Sequence, residues 1–335
     1  MPTSEVVRVF CLDVGQGDAT VVIGPQPGRA ILVDACRADA VVEILREHKV
    51  RRLSLALLSH SDHDHSAGFA AVLEEFIEGM SGRVDFVAID LDRLQATGVW
   101  TRLLAKLRVL ACPAGHLGAR RFRLCAPTLD DAVTQHAMRR TRIARILYPS
   151  FEDLNYVARL KGMPNEGSAV LLLEWHGQRM LLGGDLGAIG WSALTRRTPD
   201  DLRADVFRFP HHGGRFIPAE INGKTISQQD LLEYVRPSTV IISVGTHNSY
   251  GHPDPGTVKL VCSRQGTRLL CTEATEMCLR RDEQDTTPLP RGPVACAGTV
   301  VVTLGCGPSP VVAPSEPEHR RVIDALANSR CRKRH

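Results

Sequence analysis

The run Leu53-Ser54-Leu55-Ala56-Leu57-Leu58-Ser59-His60, continued by Ser61-Asp62-His63-Asp64-His65, decides the reading of this chain. Its first part is apolar and bounded by polar residues, the signature of a buried strand. Its second part packs five metal-binding side chains into six residues: His60, Asp62, His63, Asp64 and His65. In an extended segment His60 and Asp62 point to the same side, and a turn into a helix starting near Ala67 brings Asp64 and His65 around the far side of a shared cavity. Such a segment can serve two cations with different ligand sets. The bland alternative is a hydrophilic loop with satisfied His–Asp hydrogen bonds.

Three further clusters of the same chemistry favour the metal reading, each at the end of an apolar run. Gly184-Asp185 closes QRMLLGGD, His211-His212-Gly213-Gly214 follows ADVFRFP, and Tyr250-Gly251-His252-Pro253 follows TVIISVG. Upstream, VVRVFCLDV and ATVVIG flank a Gly-rich turn, and AILVDA follows, so the chain opens as a β-meander. The turn DVGQGD has two readings. Gly15 and Gly17 serve only a hairpin, or the loop faces an anion while Asp13 or Asp18 orients a metal-bound histidine. Asp34, ending AILVDA, is a candidate for the same orienting role. Apolar spacing predicts helices over 38–49, 67–78 and about 95–107, and a polar helical stretch reaching Arg145. One more strand, AGTVVVTLG, precedes the Pro-rich segment GPSPVVAPSEPE. The chain therefore divides into residues 1–305 as one domain and 306–335 as linker and mobile basic tail.

Of the 335 residues, 43% are hydrophobic and 23% charged, which fits a globular chain and excludes a disordered one. No apolar run approaches the roughly 18 to 20 residues of a bilayer span, and the N-terminus lacks a secretory pattern, so a cytoplasmic protein away from membranes is expected. The ten cysteines sit mostly in apolar runs and read as buried thiols of a reducing compartment. Cys271, Cys278, Cys296 and Cys306 crowd toward the C-terminus without a C-x2-C pair, so core thiols are preferred there over a structural zinc. A net charge of +4 does not by itself imply a polyanionic partner. It is unevenly spread: Arg139, Arg140, Arg142 and Arg145 lie together, and residues 319–335 carry six Arg/Lys against one Asp. Both stretches are solvated surface or phosphate contacts.

The order DVGQGD, HxDxDH, a GD dipeptide after a strand, PHHG and NxYGHP resembles the metallo-β-lactamase superfamily, and within it the hydrolase domain of the ComEC/Rec2 competence proteins. The resemblance runs from about Val6 to Leu279. It implies an α+β chain folded as a metallo-β-lactamase αββα sandwich, with its metal site on loops at one edge of the paired sheets. Carried over, it makes His60 and Asp62 ligands of a first metal, Asp62 standing where most of the superfamily has a second histidine. Asp64 and His65 become ligands of a second metal, Asp185 the bridging carboxylate and His252 the last histidine ligand. His211 or His212 completes the first metal or binds substrate, with His211 preferred as ligand. Where the superfamily often has a GHTxGS-like histidine, this chain has Pro164-Asn165-Glu166-Gly167-Ser168. Asn165 and Ser168 are therefore expected to position a phosphate or a neighbouring loop.

The resemblance further implies a metal-dependent hydrolase of phosphodiesters with two divalent ions, Mn2+ or Zn2+, in which Asp64 and Asp185 are essential to catalysis. A nuclease acting on DNA is the leading expectation, with a defence system as one setting. In the competence proteins the domain is joined to a membrane channel, so a role in DNA uptake does not carry over intact. Hydrolysis of a small phosphodiester, such as a phosphorylcholine ester or cyclic nucleotide, is the second reading. A non-catalytic partner-binding module is the third. Nothing in the sequence names a protein partner.

Overall fold

The structure, a computed structural model, describes residues 6–89, 98–116, 121–122, 144–157, 163–217, 225–282, 284–326, 328 and 331. Two sheets form its centre. The first contains β1 (Val7–Cys11), β2 (Ala19–Ile23), β3 (Arg29–Ala35), β4 (Arg52–Leu57), β5 (Arg83–Val84), β6 (Val87–Ile89) and β7 (Ala114–His116). The second contains β8 (Arg121–Phe122), β9 (Ala144–Tyr148), β10 (Val170–Trp175), β11 (Gln178–Leu182), β12 (Val206–Arg208), β13 (Thr239–Ile242) and β14 (Arg268–Cys271). The chain then returns to the first sheet as β15 (Val300–Leu304), which pairs antiparallel with β1, and β16 (Val311–Ala313), which pairs with β15.

Strand periodicity sorts the side chains into three apolar layers. On β3, Ile31 and Val33 point between the sheets, where they meet Leu171, Leu173, Met180, Leu182 and Ile241. Ala30 and Leu32 point the other way, onto Val41 and Leu45 of helix Ala38–Glu47, Phe69 and Leu73 of helix Phe69–Glu74 and Trp100 of helix Gly98–Val109. The outer face of the second sheet, through Leu172, Phe207 and Val240, packs on Trp191 and Leu194 of helix Ala188–Arg197, Leu231 of helix Gln228–Val235 and Val258 of helix Pro255–Cys262. Helix, sheet, sheet and helix make the expected αββα sandwich.

The direction of the strands places the functional loops. β11 through β14 run parallel, so the residues after Leu182, Arg208, Ile242 and Cys271 emerge at one end of the second sheet. β3 and β4 also run parallel, and Cys11 faces Thr20 while Ala19 faces Ala35, so the 12–18 turn and the residues after Ala35 and Leu57 share one end of the first sheet. Carboxyl ends of parallel strands are the usual seat of a site in such sheets.

Two expectations need correcting. Arg145 lies in β9 and forms an ion pair with Asp201, so it is not helical, while Arg139, Arg140 and Arg142 lie outside the described residues. Residues 306–335 are not simply linker and mobile tail. β16 extends the first sheet, and helix Glu316–Ala325, capped by a Ser315–Glu318 capping box, buries His319 and Ile323. Proline composition hid both, because Pro314 precedes the helix and Pro317 sits in its first turn, where a missing N–H costs nothing.

Candidate metal centre

Three imidazoles meet at the shared end of the sheets, and in each the outer nitrogen is fixed by an acceptor. His65, on the short helix His63–Ser66, places Nδ1 2.8 Å from Asp34 Oδ2. Asp34 also accepts from Ser59 N and Ser59 Oγ, both at 2.7 Å, so its carboxylate takes the His65 proton on Nδ1. His212 donates Nδ1–H to the Ser243 carbonyl at 2.9 Å. His60 Nδ1 is 3.1 Å from Ser59 Oγ, whose own hydrogen goes to Asp34. With every Nδ1 a donor, the three Nε2 lone pairs face inward.

What they face is anionic. His65 Nε2 stands 3.2 Å from Asp185 Oδ1 and 3.3 Å from His212 Nε2, and His212 Nε2 is 3.2 Å from Asp64 Oδ2. The donor atoms of Asp64, His65, Asp185 and His212 all lie within 4.8 Å of one another. On the other side of Asp185, His60 Nε2 is 3.8 Å from Asp185 Oδ2 and 3.7 Å from Asp62 Oδ2. His60 Nε2 is buried and makes no hydrogen bond among the described residues. Two imidazole lone pairs aimed at each other over 3.3 Å, beside an orphaned third and three carboxylates, repel unless cations lie between them. The residues therefore fit divalent metals.

Protons stand in for cations in the protein alone. Burial opposes a charge on His65, but Asp185 and Asp34 outweigh it and raise its pKa well above the ordinary value. Burial likewise opposes a charge on His212, yet Asp185 and the hydrogen bond with Asp64 carry it to about 9. Asp64, despite burial, falls to about 2 through its hydrogen bond with His212 and the charge of His65. Asp185, also against burial, is lowered well below the usual range by His65 and His212. His60 goes the other way: burial, then the charge on His65, keep it neutral.

No family model matches the chain. Over 286 residues it is 22% identical to ComE operon protein 3 of Bacillus subtilis strain 168, which covers 79% of this chain and 32% of that protein. The chain thus spans about a third of the length of the curated relative it matches. Among solved structures it is similar to YhfI of Bacillus subtilis, at a TM-score of 0.44 and 11% identity, covering 81% of this chain and 98% of that one. It is also similar to the short form of human tRNase Z, at a TM-score of 0.39 and 11% identity, covering 70% and 90%. YhfI is a metallo-β-lactamase-fold protein.

The structure brings together His60, Asp62, Asp64, His65 and Asp185. The adjoining histidine is His212, not His211. Residues 211–213 form a tight turn in which His211 (φ 53°), His212 (φ 50°) and Gly213 (φ 76°) are all left-handed, so consecutive rings point apart. His211 Nε2 instead lies 3.4 Å from Asn165 Nδ2, and its ring is 5.2 Å from that of His252. His252 is set back, its ring 6.5 Å from that of His212, and burial followed by the charges of His211 and His212 lowers its pKa to about 4. It borders the centre rather than joining the close donor group.

The orienting residues divide as well. Asp34 holds His65 from φ 57°, a left-handed backbone that aims its carboxylate across to Ser59. Asp18 lies 3.7 Å from His212 Nδ1 and its backbone N–H donates to Asp64 O at 2.9 Å. Between them Gly17 allows no side chain, because a Cβ there would stand 2.5 Å from Asp64 O. Asp13 turns away from the centre. Burial, then Glu273, raises its pKa to about 6, and its N–H donates to Thr299 Oγ1. Ser168 Oγ accepts from Asp185 N at 2.8 Å and lies 3.4 Å from His60 Nδ1, so it positions the Asp185 side of the cluster.

Sequence reasoning missed Ser59, the shared partner of Asp34, His60 and His65, and Arg208. Buried at the end of β12, Arg208 donates to Asp18 at 2.5 Å, to Ser243 Oγ at 2.6 Å and to Thr20 Oγ1. A charged residue inside the apolar run ADVFRFP was the available signal, since buried arginine is rarely unpaired. Beside His252 a cavity of about 1020 Å³ opens, lined by His247, Asn248, Arg280, Glu276, Asp282 and Asp285 among others.

Proposed function

We propose that this chain is a metal-dependent hydrolase of phosphodiesters, with DNA as its favoured substrate. The observation that carries the reading is the convergence of three Nε2 lone pairs on Asp64 and Asp185 at the sheet ends. His60, Asp62 and Asp185 would hold one divalent ion, and Asp64, His65, His212 and Asp185 a second, with Mn2+ or Zn2+ as the metals and Asp185 contributing to both. Bound there, the ions supply hydroxide near neutral pH and screen a substrate that is already anionic.

The protein's own groups do the rest. Asp34 and the Ser243 carbonyl keep His65 and His212 in the tautomer that presents Nε2 inward. Ser168 holds Asp185 through its backbone N–H. Asn165, His211 and His252 form a polar rim beside the donors, placed to hydrogen-bond phosphoryl oxygens. His252 does so as a neutral imidazole.

The ordered motifs shared with the competence proteins support DNA. The cavity beside His252 supports the second reading, a small phosphodiester, because it presents Glu276, Asp282 and Asp285 against Arg280, an unfavourable lining for a polyanion. Incubating Mn2+- or Zn2+-loaded protein with single-stranded DNA, double-stranded DNA, RNA and bis-p-nitrophenyl phosphate tests both. Cleavage of DNA is expected, and folded Asp185→Ala should lose it. Turnover of bis-p-nitrophenyl phosphate alone moves the assignment to a small ester, and no turnover with any metal defeats the hydrolase reading.

A further inference from the structure

Resting on the phosphodiesterase reading above, we propose that Tyr250 is a stacking platform for an unpaired nucleobase next to the phosphodiester at the metal centre, which makes single-stranded DNA the preferred form of the substrate. Three rings run outward from the donors. His212, whose Nε2 is 3.2 Å from Asp64 Oδ2, lies nearly parallel to His252, with centroids 6.5 Å and planes 21° apart. His252 lies nearly parallel to Tyr250 in turn, at 5.8 Å and 17°. Tyr250 is 67% exposed, more than any other Phe, Tyr or Trp among the described residues, so the column ends on a ring open to solvent. A phosphate seated beside His252 has that flat surface one ring away, and the flat group a nucleotide carries beside its phosphate is the base. Offset stacking is the arrangement aromatic faces prefer.

The loop that carries Tyr250 is fixed before any ligand arrives. Asn248 closes it, donating from Nδ2 to Gly245 O at 2.8 Å and to His252 O at 3.1 Å, while its Oδ1 accepts from His252 N at 2.9 Å. Thr246 N donates to the buried Glu273 carboxylate at 2.5 Å on one side of the loop, and Asp254 N to Gly213 O at 3.0 Å on the other. Gly251 takes φ 69°, the left-handed turn that leads the chain from Tyr250 to His252. A platform held in this way loses little freedom when a base settles on it.

The surroundings favour a strand that leaves the centre over Tyr250. Ser249, Gly251 and His252 line the cavity whose wall includes Glu276, Asp282 and Asp285, and Tyr250 between them does not. A polyanion avoids that acidic wall. Beside His252, Gly214 packs so closely that a Cβ there would stand 2.7 Å from His252 Cε1, and Arg215 follows with a side chain 76% exposed. Its Nε lies 3.8 Å from Asp254 Oδ2, a solvent-exposed contact worth little, so the guanidinium can turn to a neighbouring phosphate. An aromatic ring for the base with a cation for the backbone is the means by which single strands are gripped without regard to sequence. In a duplex the bases are already stacked on one another, and offering one to Tyr250 requires unpairing it first.

The test mixes the Mn2+-loaded chain rapidly with a single-stranded DNA probe and reads the bound complex before any cleavage. The probe carries 2-aminopurine between abasic sites, so this base has no neighbour of its own to stack on. Its fluorescence should be quenched by the wild type and by Tyr250→Phe but not by Tyr250→Ala, which should bind it roughly 5- to 150-fold more weakly. A wholly abasic strand should bind all three proteins alike, an outcome that a merely structural role for Tyr250 would not produce. In steady state, Tyr250→Ala should raise KM for single strands and leave kcat close to wild type. Quenching that persists in Tyr250→Ala, equal affinity of the three proteins for the probe, or tighter binding of a duplex than of the same strand unpaired overturns the proposal. Tyr250-dependent quenching without turnover by any metal leaves the platform standing and defeats the hydrolase reading alone.

Discussion

Asp34→Asn isolates one atom's role in the His/Asp cluster. Asp34 is 1% exposed and accepts three hydrogen bonds, from Ser59 N, Ser59 Oγ and His65 Nδ1. Asparagine keeps the shape and one acceptor oxygen, which the backbone N–H of Ser59 will claim. The amide NH2 then occupies the place of Oδ2, opposite His65 Nδ1. Two donors cannot face each other at 2.8 Å, so the ring moves its proton to Nε2 and presents a hydrogen, not a lone pair, to the metal.

The cost follows from the bond replaced. A hydrogen bond to a charged acceptor contributes about 1.5–3 kcal/mol, which corresponds to roughly 10- to 150-fold in metal affinity, in the range found for outer ligand partners. The assay is competition between the protein and a chelator of known affinity at fixed pH, with circular dichroism confirming the fold. Because Asp34 sits beside the Asp64–His65–Asp185–His212 group, the weakened ion should be one of two, leaving about one equivalent tightly held. A folded Asp34→Asn protein that binds both equivalents with wild-type affinity refutes the tautomer argument.

Metal uptake should strengthen as pH rises toward 9: His65 and His212 are protonated below their raised pKa values, near 9 for His212, so binding must expel those protons, and proton release measured in weakly buffered solution should approach two per chain near pH 7. The same sign governs the metal-free fold, where stability from the charged His212 is complete below its unfolded pKa of about 6.5 and is lost as pH climbs through about 9, visible as a falling denaturation midpoint. His212→Ala should remove most of one metal equivalent, whereas His211→Ala should retain both metals and raise KM for phosphodiesters; equal metal loss in the two variants contradicts the placement of the rings. Arg208→Leu should cost about 3–5 kcal/mol by stranding the buried carboxylate of Asp18, read as a shift in urea midpoint, and a change below 1 kcal/mol would mean that Asp18 finds water.

The parts of the molecule legible in the sequence are those where one residue type answers to one constraint. Alternating apolar strands and the ends of β4, β11, β12 and β13 announce themselves because a buried strand must be apolar and its parallel neighbours must finish at the same end. The His/Asp run at 60–65 is legible for the same reason, since nothing but metal or solvent requires five such groups together. The tautomer-setting shell is harder to read. Ser59 and Ser243 act through a hydroxyl or a carbonyl that any residue near a strand end offers, and Arg208 resembles an error in an apolar run until Asp18 is placed beside it. His211 and His212 differ only in where a left-handed turn sends each ring, which depends on Gly213 at φ 76° and on the close approach of Pro253 and Ile242 to it. The C-terminal segment shows the same limit at larger scale: its prolines suggest a linker, yet it supplies β16 and a capped helix that buries His319 and Ile323. Local pattern therefore marks most of the residues of this cluster, and long-range packing decides which nitrogen each of them turns inward.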